Sequence, residues 1–176
     1  MTNVIKKNGV NFGIILAVYF ILRTALIYTI DLKLFVNSWF GFVDLIVSII
    51  LAIIAIAKTK KALGGFISFK EAFSVYFLTI LIGLVIYSIF NIILFNVIDP
   101  AAKEIVKEHT IEYTVNMMKK FGSIDTQTLK ETVAKLRETD SFSIPQQLLG
   151  LGISLLMYAV IGLIVAVAMR KNKVFE

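Results

Sequence analysis

Arg23, Asp44 and Asn91 are polar residues with side chains capable of ion pairing or hydrogen bonding, inside long and mainly apolar stretches of the 176-residue chain. Arg23 is seven residues before the end of the run 9–30, Asp44 five residues after the start of 39–57, and Asn91 seven residues before the end of 73–98. Read as helices, these runs bring all three to a common depth, roughly 8–10 Å from one end, at about 1.5 Å rise per residue. An ionisable group at such a depth in a bilayer costs a few kcal/mol and is usually paired or solvated. Arg23 and Asp44, on consecutive antiparallel helices, are natural partners, and Asn91 is placed to hydrogen-bond one of them. Two other outcomes stay open: Arg23 can snorkel to headgroups, or the cluster can serve transport or proton relay. Arg23 also lies about 100° round its helix from Thr24, whose face carries small residues.

Other chemistry is sparse. The single His109 has Glu108 and Glu112 nearby, which reads as a solvated surface histidine. No H-E-x-x-H, G-x-S-x-G or phosphate-loop pattern occurs. Cysteine is absent, which excludes disulfides, thiolate metal sites and a cysteine nucleophile. The expectation is a protein that is not an enzyme, with no catalytic, cofactor-binding or metal residues.

The elements that must position the polar cluster follow from composition. The chain is 58% hydrophobic and only 17% charged, with a mean hydropathy of +0.85, unlike a soluble domain of this size. Four apolar segments account for the excess: about 9–30, 39–57, 73–98 and 146–169. The third, Phe73 to Ile98, has twenty-six residues without a charge, enough to cross roughly 30 Å of hydrocarbon. The first is too long for a signal-peptide core, contains Arg23 and lacks a cleavage site, so it reads as a crossing helix. The expected fold is an all-α four-helix transmembrane bundle, a single membrane domain over 1–176.

Orientation is read from lysine and arginine near the segment ends. Lys6, Lys7, Lys58, Lys60, Lys61, Lys70, Arg170, Lys171 and Lys173 fall on one side, so both termini are expected in the cytoplasm. The connection 99–145 then faces outward, where seven basic residues are outnumbered by eight acidic ones. Trp39 and Tyr28 are placed as interfacial aromatics. The net charge of +6 belongs to topology signals beside hydrophobic segments, so nucleic acid is not expected as a partner. The lipid bilayer is, and Lys58, Lys60, Lys61 and Lys70 could hold anionic headgroups.

Local signals mark the links. Ser68 and Glu71 have the spacing of a capping box that starts the third crossing helix. Asp99-Pro100 suits the N-cap and first position of a new helix; the alternative is a third helix that continues through Pro100 with a kink. A helix to about Phe121 would place Ile111, Val115 and Met118 on one face, with Gly122 as its stop. Asp125 could cap a second, with the stripe Leu129, Val133 and Leu136. These two amphipathic helices could lie on the outer leaflet, pack together or form a partner surface. Ser143 and Pro145 begin the fourth crossing.

Each crossing segment carries small and polar residues at helical spacing, expected to face the bundle. They are Gly9, Gly13, Ala17 and Thr24; Asp44, Ser48, Ala52 and Ala55; Tyr76, Thr79, Gly83, Tyr87 and Asn91; and Gly150, Ser154, Tyr158, Gly162 and Ala166.

The run GGFISFKEAF entering a long apolar helix that ends in IDP, then a charged helical connection and a last apolar helix ending in basic residues, resembles an uncharacterised bacterial family of four-helix membrane proteins, a domain of unknown function. Phe69, Lys70, Glu71, Phe73 and the Asp99-Pro100 pair carry the resemblance, which spans about Asn8 to Arg170. It implies a bacterial inner-membrane location and no assigned activity. The expected function is a non-enzymatic membrane scaffold or accessory subunit, with a membrane-protein partner or a second copy; the alternative is a small oligomeric transporter or channel.

Overall fold

A computed structural model describes residues 3–120 and 125–171. Helices α1 (Asn3–Ile30), α2 (Ser38–Ala62), α3 (Phe69–Ile93) and α6 (Ile144–Met169) are long and apolar; α4 (Pro100–Lys120) and α5 (Thr126–Glu138) are more polar. With the turn that extends α3 to Ile98, these give four helices long and apolar enough to cross a membrane. The described residues form no strand, only an isolated antiparallel bridge between Ile67 and Lys171. The architecture is the expected all-α bundle.

The centre is α3, which packs against α1, α2 and α6. Its seam with α1 is the most extensive, and glycines explain why. Cβ atoms placed on Gly9 and Gly13 would come within 2.8 Å of Leu78 and 2.6 Å of Ile82, and one on Gly83 within 2.7 Å of Leu16. Between lipid-immersed helices, where water drives no association, such backbone approach is the main attractive term. Gly162 lets α6 meet the ring of Tyr76 in the same way, 2.5 Å from where its Cβ would stand. The expected stripes are buried at Gly9, Gly13, Ala17, Thr24, Ser48, Ala52, Ala55, Thr79, Gly83 and Ala166.

One half of one stripe departs from expectation. Gly150 is exposed with nothing within 4 Å of an added Cβ, and Ser154 is only half-buried. The fully buried residues of α6 begin at Tyr158, and in its first half Leu151 and Leu155 are partly buried against the core. A crevice of about 240 Å³ opens there, lined by Tyr87, Ser88, Gln146, Gln147, Gly150 and Ser154 among others.

The two ends of the bundle differ. At the lysine-rich end the Ser68 side chain accepts from the Glu71 amide, and the Glu71 carboxylate accepts from the Ser68 amide, closing the capping box that starts α3. Gly64 and Gly65, at φ 81° and 89°, occupy the left-handed region that ends α2. Paired backbone bonds between Ile67 and Lys171, and a bond from Lys60 Nζ to the Met169 carbonyl, tie this link to the end of α6.

At the other end a cap closes over the bundle. Leu94–Ile98 forms a π-turn, completed by a bond from the Asp99 amide to the Leu94 carbonyl. The helix therefore stops before Pro100 and a new one begins: Asp99 Oδ1 accepts from the amides of Ala101 and Ala102. Leu94, Phe95, Ala102 and Val106 form a second core, packed by Phe35 and Val36 of a 3₁₀ turn (Leu32–Val36) and by Phe142. The rings of Phe95 and Phe142 lie 4.2 Å apart. Helix α4 packs on that turn and α5 on α4. Ile111 is buried, whereas Val115, Met118, Leu129, Val133 and Leu136 are half-buried. Asp125 precedes α5 but makes no side-chain capping bond, and neither does Ser143 before α6. The expected stop at Gly122 lies outside the described residues.

Candidate functional site

Arg23 on α1 and Asp44 on α2 meet at 2.9 Å, with side chains 15% and 16% exposed. The turn between Ile30 and Ser38 reverses the chain, and the two residues stand at matching depth from it, so helical rise alone brings them level. Asp44 uses both oxygens: Oδ2 binds Arg23 Nη2, and Oδ1 accepts the Tyr19 hydroxyl at 3.0 Å. The Arg23 guanidinium also lies over the Phe40 ring, 5.9 Å from its centroid. Arg23 is thus turned into the bundle rather than drawn to headgroups.

Below the pair, Ser48 Oγ donates to the Asp44 carbonyl at 2.6 Å, and the Tyr158 hydroxyl of α6 donates to Ser48 Oγ at 3.2 Å. This run ends on a backbone carbonyl, not on the carboxylate. Its chemistry is that of helix cross-linking, with three helices joined through Asp44, Ser48 and their partners.

Asn91 does not join the cluster. It is buried, but no side-chain hydrogen bond links it to Arg23 or Asp44. It lies one turn beyond Tyr87, whose hydroxyl accepts from Thr24 at 3.5 Å, on the face of α3 that meets the Thr24 side of α1. The expected hydrogen bond from Asn91 to the pair is not formed.

The family described as "Protein of unknown function (DUF4199)" matches residues 11–171. The chain belongs to that family. No curated protein and no solved structure matches it.

In this DUF4199 chain the site includes residues that the sequence reading missed. Tyr19 stands one turn before Arg23, an i,i+4 spacing that was a usable signal; Ser48, one turn after Asp44, had been placed on the inward stripe but not assigned to the cluster. Tyr158 had been placed on an inward stripe, but its pairing with Ser48 spans 110 residues and has no local signature.

Three buried donors in the bundle lack a partner among the described residues: Arg23 Nε, Arg23 Nη1 and the Tyr76 hydroxyl. Tyr76 is 0% exposed, so its hydroxyl is desolvated without compensation. Such a group costs about 1–3 kcal/mol. Tyr76→Phe should therefore raise thermal stability in detergent, by about 1 kcal/mol. A loss of similar size would show instead that a bound water or ligand satisfies the hydroxyl.

The cap carries its own polar ties. Tyr28 donates to Asp99 Oδ2 at 2.6 Å, Lys103 Nζ meets Asp140 Oδ2 at 2.9 Å, and the hydroxyls of Ser38 and Tyr113 are 2.6 Å apart. His109, expected to be solvated, is 20% exposed and sits 3.8 Å from Glu112; Glu108 instead reaches Arg137. The Lys103 hydrogen bond is the main cause holding Asp140 below the usual carboxylate range, and the Tyr28 hydrogen bond does the same for Asp99.

Depressed carboxylate pKa values stabilise the fold above the unfolded-state value, and that contribution disappears as pH falls through the folded-state value. The cap should therefore loosen below about pH 4. Hydrogen exchange of the α4 and α5 amides at pH 3 against pH 6 measures this. Asp140→Asn should shrink the step without abolishing it, since Asp99 titrates in the same window.

Proposed function

We propose that this DUF4199 protein is a non-enzymatic membrane scaffold or accessory subunit of the bacterial cytoplasmic (inner) membrane. In this reading both termini are cytoplasmic, and α4 and α5 face outward to meet a membrane-protein partner. One observation supports it above the rest. The crossing helices are closed on each other by backbone-close contacts at Gly9, Gly13, Gly83 and Gly162, while the cap is held on a core of its own and α5 has no buried residue. Close helix seams beneath a braced, open-faced cap suit anchoring and presentation.

Affinity purification in mild detergent, with mass spectrometry of the co-purifying proteins, tests the proposal. A stoichiometric membrane partner is expected, reduced by Ala134→Arg on the exposed face of α5. Recovery of the chain alone from the native membrane would overturn it. The crevice between α3 and α6 favours the alternative, a small oligomeric transporter or channel. Solute flux through liposomes containing only this protein, blocked by Gly150→Trp, would establish that alternative instead.

Orientation has its own test, helped by the absence of native cysteine. An impermeant thiol reagent applied to intact cells should label Thr126→Cys and not Lys61→Cys. Thr59, at the same end as Lys61, is fully buried and would react in neither orientation.

A further inference from the structure

The cap encloses a pocket of about 290 Å³ with walls from four segments: the 3₁₀ turn, α4, the last turns of α5 and the link into α6. Its apolar surface comes from Phe35, Val36, Val106, Leu136 and Phe142. Lys103, Lys107, Asp140 and Glu104 line it as well. The charges are not equivalent. Asp140 is saturated, with Oδ2 on Lys103 and Oδ1 on the Phe142 amide. Glu104 is exposed to solvent, and Lys107, half-buried, has no ion-pair partner among the described residues. Lys103 is paired with Asp140, so Lys107 is the cation on the wall without an ion pair of its own among the described residues, with the exposed Glu104 carboxylate on the same lining.

The position of the chamber narrows its ligand. Phe35 and Val36 lie just beyond α1 and Phe142 just before α6, so the apolar wall adjoins the ends of two helices able to cross a membrane. Single-chain amphiphiles concentrate at such a boundary. The volume is at the small end of ligand pockets, which run roughly from 300 to 1,000 Å³, and is too small for a two-chain lipid body.

We infer that this pocket binds a single-chain anionic amphiphile, a fatty acid or its close equivalent, with the acyl chain against Phe35, Val36, Leu136 and Phe142 and the acid group on Lys107. The pairing gives Lys107 a direct ion-pair partner and withdraws the chain from water.

Decanoate is the probe, titrated into the full-length protein in lipid nanodiscs and followed by native mass spectrometry and thermal shift. Saturable binding of one decanoate per chain is expected. Decanol, with the chain but no charge, and propionate, with the charge but little chain, should each bind at least about ten-fold more weakly. Lys107→Gln should weaken decanoate by about ten-fold and leave decanol unchanged. Thr110→Trp, which fills the chamber from its wall, should abolish both while retaining the parent melting temperature without ligand. Should Thr110→Trp lower that temperature, Val36→Trp fills the same chamber from the opposite side and takes its place. Non-saturable uptake, equal uptake by the filled variant, or equal affinity for decanol would overturn the proposal. So would a resident two-chain phospholipid that decanoate does not displace.

Discussion

Gly13→Leu should be among the most damaging single substitutions in the bundle, costing about 3 kcal/mol of stability in detergent. A Cβ at Gly13 would stand 2.6 Å from Ile82 Cβ and 3.0 Å from the Thr79 carbonyl oxygen. Neither neighbour can yield: one is the branch point of a β-branched side chain, the other is backbone. Relief requires α1 and α3 to separate along their most extensive seam. The helices then lose contact all along it, with no hydrophobic gain to draw them back in lipid. Gly9→Leu should cost less, because its nearest neighbour is the flexible end of Leu78. Gly150→Leu is the control, since nothing lies within 4 Å of a side chain there. Thermal unfolding of the three variants decides the matter. Equal losses for Gly13→Leu and Gly150→Leu would mean that α1 and α3 do not approach as described.

What could be read in advance follows the range of the interactions. The four crossings depend on composition over about twenty residues, and the Ser68–Glu71 box on a spacing of three, so both were visible in the chain itself. The end of α3 was visible only as a choice. Asp99-Pro100 allowed a stop or a kink, and the π-turn over Leu94–Ile98 left no mark in residue type. Asn96 helps to hold that turn by donating to the carbonyls of Ile92 and Phe142, the second of them 46 residues away. The second core is equally non-local, since Phe35, Phe95 and Phe142 come from the 3₁₀ turn, the end of the third crossing helix and the link into α6, and no periodicity joins them. Gly150 and Ser154 were misplaced because a stripe of small residues states which face can pack, not how far along the helix a neighbour extends.

The same limit explains the polar cluster. Depth is linear in residue number, so counting from the segment ends set Arg23, Asp44 and Asn91 at one level, and Arg23 and Asp44 meet. Direction round a helix advances about 100° per residue, and a small error there exchanges one neighbour for another. Arg23 turned to α2, whereas Asn91 met the Thr24 side of α1, and the place intended for the amide went to the hydroxyl of Tyr19.

Asp44→Ala should show what that arrangement contributes. It removes the carboxylate paired with Arg23, whose Nε and Nη1 already lack partners among the described residues, and leaves a cation 15% exposed within a helix apolar enough to cross a membrane. Removing one member of a buried pair costs roughly 3–5 kcal/mol in soluble interiors. A value of about 3 kcal/mol is expected here, because neither side chain is fully buried in the protein. Adding Arg23→Leu should restore part of that loss, since the double variant leaves neither charge unpaired; Tyr19→Phe, which removes one hydrogen bond and leaves the ion pair, should cost about 1 kcal/mol. The coupling in the double-mutant cycle is therefore expected to be large, and additive single effects would mean that the two charges do not stabilise each other. Should all the variants keep parent stability while liposomes containing the wild type conduct solute and the variants do not, the cluster belongs to a transport path. The hydrogen bonds argue for the structural role, because the run from Tyr158 through Ser48 ends at the Asp44 carbonyl and the carboxylate itself is held by Arg23 and Tyr19, both on α1.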